Sequence, residues 1–238
     1  MCNLYKISTG FDAVRNLFNG IGNGTNITDF NIDIYPDYPA PVARKDESGG
    51  LEVSMLRWGM PTPPAFIKGE VDYGVTNIRN VKSPHWRRWL GPESRCIVPA
   101  TSFSEYGQVR DPETKKLPLY WFALNEEQPL FWFAGIWTSW YSMRKKKEGP
   151  VQADIFAFLT CEPNAIVGPI HPKAMPVILR TREELDIWMN APAEEALQLQ
   201  RPLPDNDLIV LAKEQQNNPI AEPSAAPEAF VEEEPRLL

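Results

Sequence analysis

The stretch LYWFALNEEQPLFWFAGIW, residues 119–137, contains two apolar, aromatic-rich runs, 119–124 and 130–137, separated by five mostly polar residues. Each run is too short for a typical helix and is rich in the side chains that suit a pleated, packed surface, so both are read as strands. The simplest expectation is a hairpin about residues 125–129. Working outward, CIVPATSFSEY at 96–106 reads as one buried strand that leaves Glu105 near its end. Residues 53–59 alternate Val53, Met55 and Arg57 with Ser54, Leu56 and Trp58, the period of two of a strand. Further strands are expected over 153–160, 175–179 and 208–211, with the lysine-rich 144–148 as an exposed loop.

Proline supports this strand-dominated reading. The chain has 24 prolines in 238 residues, about twice the usual ~5 %. Long helices are therefore disfavoured, and Pro61, Pro63 and Pro64 make a rigid connection after the 53–59 strand. Three helices are still expected. Over 8–20, Thr9 can cap a helix with Phe11, Val14, Leu17 and Phe18 on one face and Gly20 at its end. Thr181 and Glu184 have capping-box spacing ahead of a face made by Leu185, Trp188 and Met189. A short helix follows over 193–200. Residues 19–50 are mostly turn formers, read as loop and edge.

Composition bounds the class. Hydrophobic residues make up 43 % and charged residues 23 %, as expected for a globular domain with one sizeable core. No apolar run approaches the ~18 residues of a membrane span, and no signal-like N-terminus is present; a cytoplasmic protein is expected. Three widely spaced cysteines make neither a disulfide framework nor a C-x-x-C pair. Cys96 and Cys161, within apolar runs, are read as inert buried thiols. With no glycine-rich phosphate loop and no metal-ligand cluster, neither cofactor nor metal is expected. No heptad or exposed apolar stripe suggests self-association, so a monomer is expected.

The net charge of −7 at first argues against a nucleic-acid partner. Its distribution reverses that. From residue 214 onward, Glu214, Glu222, Glu228, Glu232, Glu233 and Glu234 face the single base Arg236, a net of −5. This Pro-, Ala- and Glu-rich tail, 214–238, is read as disordered, with the domain occupying 1–213. Between residues 79 and 95, Arg79, Lys82, Arg87, Arg88 and Arg95 face only Glu93, a net of +4. Trp86 and Trp89 lie among those cations. The mixture suits phosphate contacts and base stacking on a single strand, or equally a basic helix that packs its tryptophans inward.

Cys2 carries the most unusual chemistry. A small residue after the initiator Met1 allows the methionine to be trimmed, leaving an N-terminal cysteine with a thiol and an α-amine on adjacent carbons. An aldehyde condenses with that amine to an imine, on which the thiol closes to a five-membered thiazolidine. Glu105 is either a solvated strand end or, if partly buried, a carboxylate raised into acid–base range. His171, between Ile170 and Pro172, is fixed in a turn, as a structural or an acid–base histidine.

Four separated motifs then stand in register: Met1-Cys2, TNIRN at 76–80, SFSEY at 102–106 and IHPKAMPVIL at 170–179. Together they resemble the SRAP family, the SOS response-associated peptidases, also described as abasic-site processing proteins. The resemblance runs from Cys2 to about residue 212. It implies an α+β fold, a single SRAP-like domain with a barrel-like, largely antiparallel β core and peripheral helices. It implies that mature Cys2 links covalently to the ring-opened aldehyde of an abasic site in single-stranded DNA. By the same resemblance Asn77 orients the N-terminal residue, Glu105 transfers protons around the amine and imine, His171 assists opening of the deoxyribose ring as an acid at its oxygen, and Arg79 contacts DNA. Trp58, Trp86, Arg87 and Arg88 complete the expected DNA-binding set, and nucleoid association is expected when the protein is bound to DNA.

The sequence departs from the family pattern in three places. Cys2-Asn3-Leu4 stands where C-G-R is common, so a phosphate-contacting arginine is absent. Trp58-Gly59-Met60-Pro61-Thr62-Pro63-Pro64 lacks the second tryptophan of W-G-x-x-P-x-W. The proline-containing loop at 35–41 is altered. Arg57, Arg87 and Arg88 are candidates to replace the missing contact. Two other functions fit the same residues: a cysteine peptidase with an N-terminal nucleophile, including self-processing, and a non-catalytic single-strand binding module.

Overall fold

The computed structural model describes residues 2–8 and 32–211. The helix expected over 8–20, apart from Ser8, and the tail over 214–238 lie outside the described residues, as does Met1.

Five strands close a barrel. They are β3 (Pro39–Lys45), β4 (Leu51–Trp58), β6 (Arg95–Ala100), β9 (Phe131–Lys145) and β10 (Gly149–Cys161). The circuit β4-β3-β6-β9-β10 is antiparallel at every step until β10 returns to β4 in parallel, pairing Ile155 with Arg57 and Phe156 with Trp58. Closure removes the free edges that would otherwise invite pairing with other chains. Short strands extend the circuit: β5 (Asn77–Ile78) and β11 (Met175–Pro176) pair with β10, and β12 (Ile178–Leu179) pairs with β9. The strands approach closely at Gly135. A Cβ there would meet Cys96 Sγ at 2.8 Å and the Ala157 carbonyl at 3.2 Å, so only glycine lets β9 lie between β6 and β10.

A second, open sheet has the order β13-β8-β7-β1-β2, antiparallel throughout. It consists of β1 (Tyr5–Lys6), β2 (Asp33–Ile34), β7 (Ser102–Tyr106), β8 (Leu119–Ala123) and β13 (Ile209–Val210). The hairpin expected about 125–129 does not form. Strands β8 and β9 are consecutive in sequence but belong to different sheets. The long hairpin is instead β9–β10, whose tip keeps only residues 146–148 of the expected lysine-rich loop; Arg144 and Lys145 belong to β9, and Arg144 is buried, not exposed. At the tip Gly149 takes φ +72° and the register shifts at Pro150, the pattern of a three-residue loop closed by a glycine bulge. The single strand expected over 96–106 is likewise two strands, one in each sheet. The chain turns at buried Thr101, whose N–H donates to the Lys6 carbonyl at 2.8 Å.

Aromatic rings join the sheets into one core. Phe133 lies 4.5 Å from Phe158 within the barrel, and 5.6 Å from Tyr5 and 6.2 Å from Phe103 of the open sheet, centroid to centroid. Burying each such side chain is worth about 1.5–3 kcal/mol. The helix Arg182–Asn190 forms with the expected capping box, Thr181 Oγ1 accepting from the Glu184 N–H and the Glu184 carboxylate from the Thr181 N–H. Its C-terminal end is held by Arg95, which donates to the carbonyls of Trp188 at 2.8 Å and Ala191 at 2.7 Å. Those carbonyls carry the negative end of the helix dipole, and the buried cation answers it.

Candidate active site at the seam between the sheets

Antiparallel pairing of Tyr5 with Phe103 sends the residues before Tyr5 alongside those after Phe103. The Leu4 carbonyl accepts from both the N–H and the hydroxyl of Ser104, each at 3.0 Å. This register carries Cys2 towards Glu105. Cys2 is fully buried, its thiol 3.5 Å from the Leu4 carbonyl and also within reach of the Ser104 backbone. From the barrel side, Asn77 Nδ2 donates to the Cys2 carbonyl at 2.8 Å. Asn77 sits on β5, paired with Phe158 of β10, so the residue at position 2 is held through its main chain by the opposite sheet.

Glu105 and His171 meet at the same seam, with His171 Nδ1 3.5 Å from Glu105 Oε2. Burial dominates both titrations. It pushes Glu105 up to about 7, against the pull of the positive chain terminus, and that same positive charge adds to burial in bringing His171 down to about 4. The pair is therefore two neutral groups between those values and not an ion pair. Burial also pushes the Cys2 thiol well up, and the negative charge of Glu105 adds to the effect.

The turn that presents His171 is built by a residue the sequence reading missed. Asn164 Oδ1 accepts from the N–H groups of Ile166 at 3.2 Å and Val167 at 3.0 Å, and its Nδ2 donates to the Leu203 carbonyl at 3.1 Å. The His171 N–H in turn donates to the Val167 carbonyl at 2.7 Å. The signal available was Pro163-Asn164, a turn dipeptide whose asparagine bonds its own backbone two residues on. A second missed group is buried Arg144, which reaches from β9 to the carbonyls of Gly59 and Asp72 and pins the loop after β4. Tyr106, next to Glu105 and 44 % exposed, is an aromatic face at the rim of the site.

The expected DNA-binding set divides. Arg87 and Arg88 are exposed, Arg88 lying over the Trp89 ring at 4.3 Å. Arg79 pairs with Glu162 at the end of β10. Trp58 and Trp86 are corrections. Trp58 is 1 % exposed, donates Nε1–H to the Thr76 carbonyl and stacks on Phe158, while Trp86 is 6 % exposed against His85 and Trp89. Neither ring offers a face to a base; of the two readings of 79–95, the inward-packed tryptophans hold. Arg57 is also unsuited to replace a missing phosphate contact, because Asp37 and Glu148 already hold its guanidinium. Among the described residues no group of three His, Cys, Asp or Glu side chains is placed to hold a metal ion, and no helix is long and apolar enough to cross a membrane.

The family model described as SOS response associated peptidase (SRAP) matches residues 1–217. Among solved structures, a Bacteroides thetaiotaomicron protein is 22 % identical with a TM-score of 0.67, covering 88 % of this chain and 90 % of its own. A Bordetella bronchiseptica protein is 20 % identical with a TM-score of 0.66, covering 90 % of this chain and 100 % of its own. A phage-related protein from the same organism is 18 % identical with a TM-score of 0.65, covering 91 % and 95 %. At these identities the three structures establish the fold. No curated protein matches the chain.

Proposed function

The chain belongs to the SOS response associated peptidase family, and from that premise we propose that it captures abasic sites in single-stranded DNA by covalent crosslinking through Cys2. The observation that carries this reading is the convergence at the seam. Asn77 fixes the main chain of residue 2 at 2.8 Å, and the Glu105–His171 pair stands beside it with both groups shifted by burial.

Removal of Met1 makes Cys2 the N-terminal residue, and its α-amine is the first nucleophile. The sugar must open before it reacts. His171, down at about 4, is neutral near pH 7; it accepts the proton of the C1′ hydroxyl as the aldehyde forms. The ring oxygen leaves with a proton from Glu105, which at about 7 is partly protonated. This exchanges the acid role expected for His171. Deprotonated Glu105 next takes a proton from the Cys2 ammonium. The free amine adds to the aldehyde carbon as a proton passes from nitrogen to oxygen; Glu105 then protonates the departing hydroxyl, which leaves as water, and takes back the remaining proton of the nitrogen, leaving a neutral imine. The thiol then adds to the imine carbon, its proton passing to the nitrogen, and the thiazolidine ring is closed. A group that both gives and takes protons near neutrality works best with a pKa close to the ambient pH.

Specificity resides in the lesion, because an intact nucleotide offers no aldehyde. Arg79, Arg87 and Arg88 supply the positive contacts to phosphate, and Tyr106 offers a face for a neighbouring base. The non-catalytic module that would stack bases on Trp86 and Trp89 has no support from rings that are buried. The decisive experiment is a denaturing gel of protein with an oligonucleotide carrying one abasic site. A detergent-stable shifted band is expected for the wild type alone, absent with Cys2→Ala and with an intact strand. No band from protein whose Met1 is shown by mass to be removed sinks the proposal.

A further inference from the structure

We infer that Glu162 is a built-in competitor for DNA phosphate at Arg79, weakening the hold on undamaged strands. The inference rests on the DNA-binding reading above and assigns it a specificity-determining residue.

Arg79 follows Asn77 by two residues, immediately past the end of β5. Glu162 follows immediately on Cys161, the last residue of β10. Arg79 Nη2 donates to Glu162 Oε1, with the carboxylate side chain 78 % exposed and the guanidinium side chain 36 %. The two backbones are stapled together behind this contact: Gln200 Nε2 donates to the Arg79 carbonyl at 2.8 Å and to the Thr160 carbonyl at 2.9 Å. The staple keeps the two main chains adjacent and the anion within reach of the cation.

A carboxylate oxygen on a guanidinium occupies the geometry that a phosphate oxygen takes. With Glu162 in place the local charge is zero, and an incoming phosphate must displace the carboxylate. Such an exposed pair is weak, so the contact is a tax on binding and not a block. Arg57 shows the opposite design: one edge of its guanidinium is held by Asp37 through two hydrogen bonds, at 2.6 and 2.8 Å, and Glu148 takes the rest. That cation is committed to the fold, whereas Arg79 can be released.

The test is fluorescence anisotropy of full-length protein with an intact, labelled single strand, which cannot crosslink, across a salt series. Glu162→Gln is expected to bind roughly three- to fivefold more tightly than wild type, with a log K against log salt slope steeper by ~0.7. Glu113→Gln, an equal change in net charge at an exposed residue of another loop, is expected to do neither. In an Arg79→Gln background the effect of Glu162→Gln should vanish. Wild-type affinity and slope in Glu162→Gln, equal gains from Glu113→Gln, or a gain that survives loss of Arg79 would each overturn the inference and leave the crosslinking reading standing. Conversely, tighter binding by Glu162→Gln with no band on the abasic gel supports the competitor and sinks the crosslink.

Discussion

The closed barrel and the open sheet divide the work of this molecule unequally. The barrel is built from strands of up to 15 residues, with phenylalanines in its core and Gly135 pressed against Cys96, Ala157 and Val98. The open sheet includes three strands of two residues each, one of them the strand that follows Cys2. Yet the candidate site belongs to both. Cys2 and Glu105 come from the open sheet, while Asn77 and His171 come from segments attached to the barrel. The lesson is that the geometry of the site depends on how rigidly one sheet sits on the other.

Phe133→Ala puts that dependence under the heaviest load. The ring touches Phe158 on one side and Tyr5 and Phe103 on the other, and its loss should cost about 3–5 kcal/mol. One cooperative transition at lower denaturant concentration is expected; two separated transitions would show that the sheets are independent units. Asn164→Ala works on the barrel side of the seam alone. It frees the turn under His171, so the initial rate of crosslinking should fall about tenfold, about 1.4 kcal/mol. Crosslinking by Asn164→Asp, which keeps the acceptor oxygen, should recover, and a fall of equal size in that variant would refute the positioning role.

The smallest effect separates the two halves of the Glu105–His171 pair. Glu105 titrates near 7 when folded against an ordinary 4.5, so its stabilisation is complete below 4.5 and is lost as pH rises through 7. His171 titrates near 4 against an ordinary 6.5, so its contribution is present above 6.5 and is lost as pH falls through 4. Between 4.5 and 6.5 the two slopes oppose. In urea titrations over that window, Glu105→Gln should gain stability with rising pH and His171→Gln should lose it, each by about 1 kcal/mol per pH unit at most. Parallel slopes in the two variants would mean that the seam does not shield both groups.

Much of this could be read from the sequence, and the failures have a common cause. Alternation and aromatic runs gave the strands at 53–59, 119–124 and 130–137, because burial is a property of single side chains, whereas 96–106 proved to be two strands and β3, within the stretch read as loop and edge, sits between β4 and β6. Pairing is not. The five-residue loop at 125–129 has hairpin length, but Phe122 faces Phe103 and Phe133 faces Val98, so strands adjacent in sequence part company. The same limit explains Trp86. A tryptophan among arginines has the composition of a DNA contact, and only the packing of His85 and Trp89 around it shows that the ring is spent on the core. Cys2, Glu105 and His171 stood out by their chemistry, and the resemblance to a family added Asn77. Asn164 carries no chemistry of its own and became visible only through what it holds.

The hydrogen bond from Asn77 to the Cys2 carbonyl has one more consequence. It grips a group that every amino acid possesses. The scaffold thus addresses a position and leaves the side chain at that position as an interchangeable reagent. Serine or threonine placed there would be presented at the same point with the same amine.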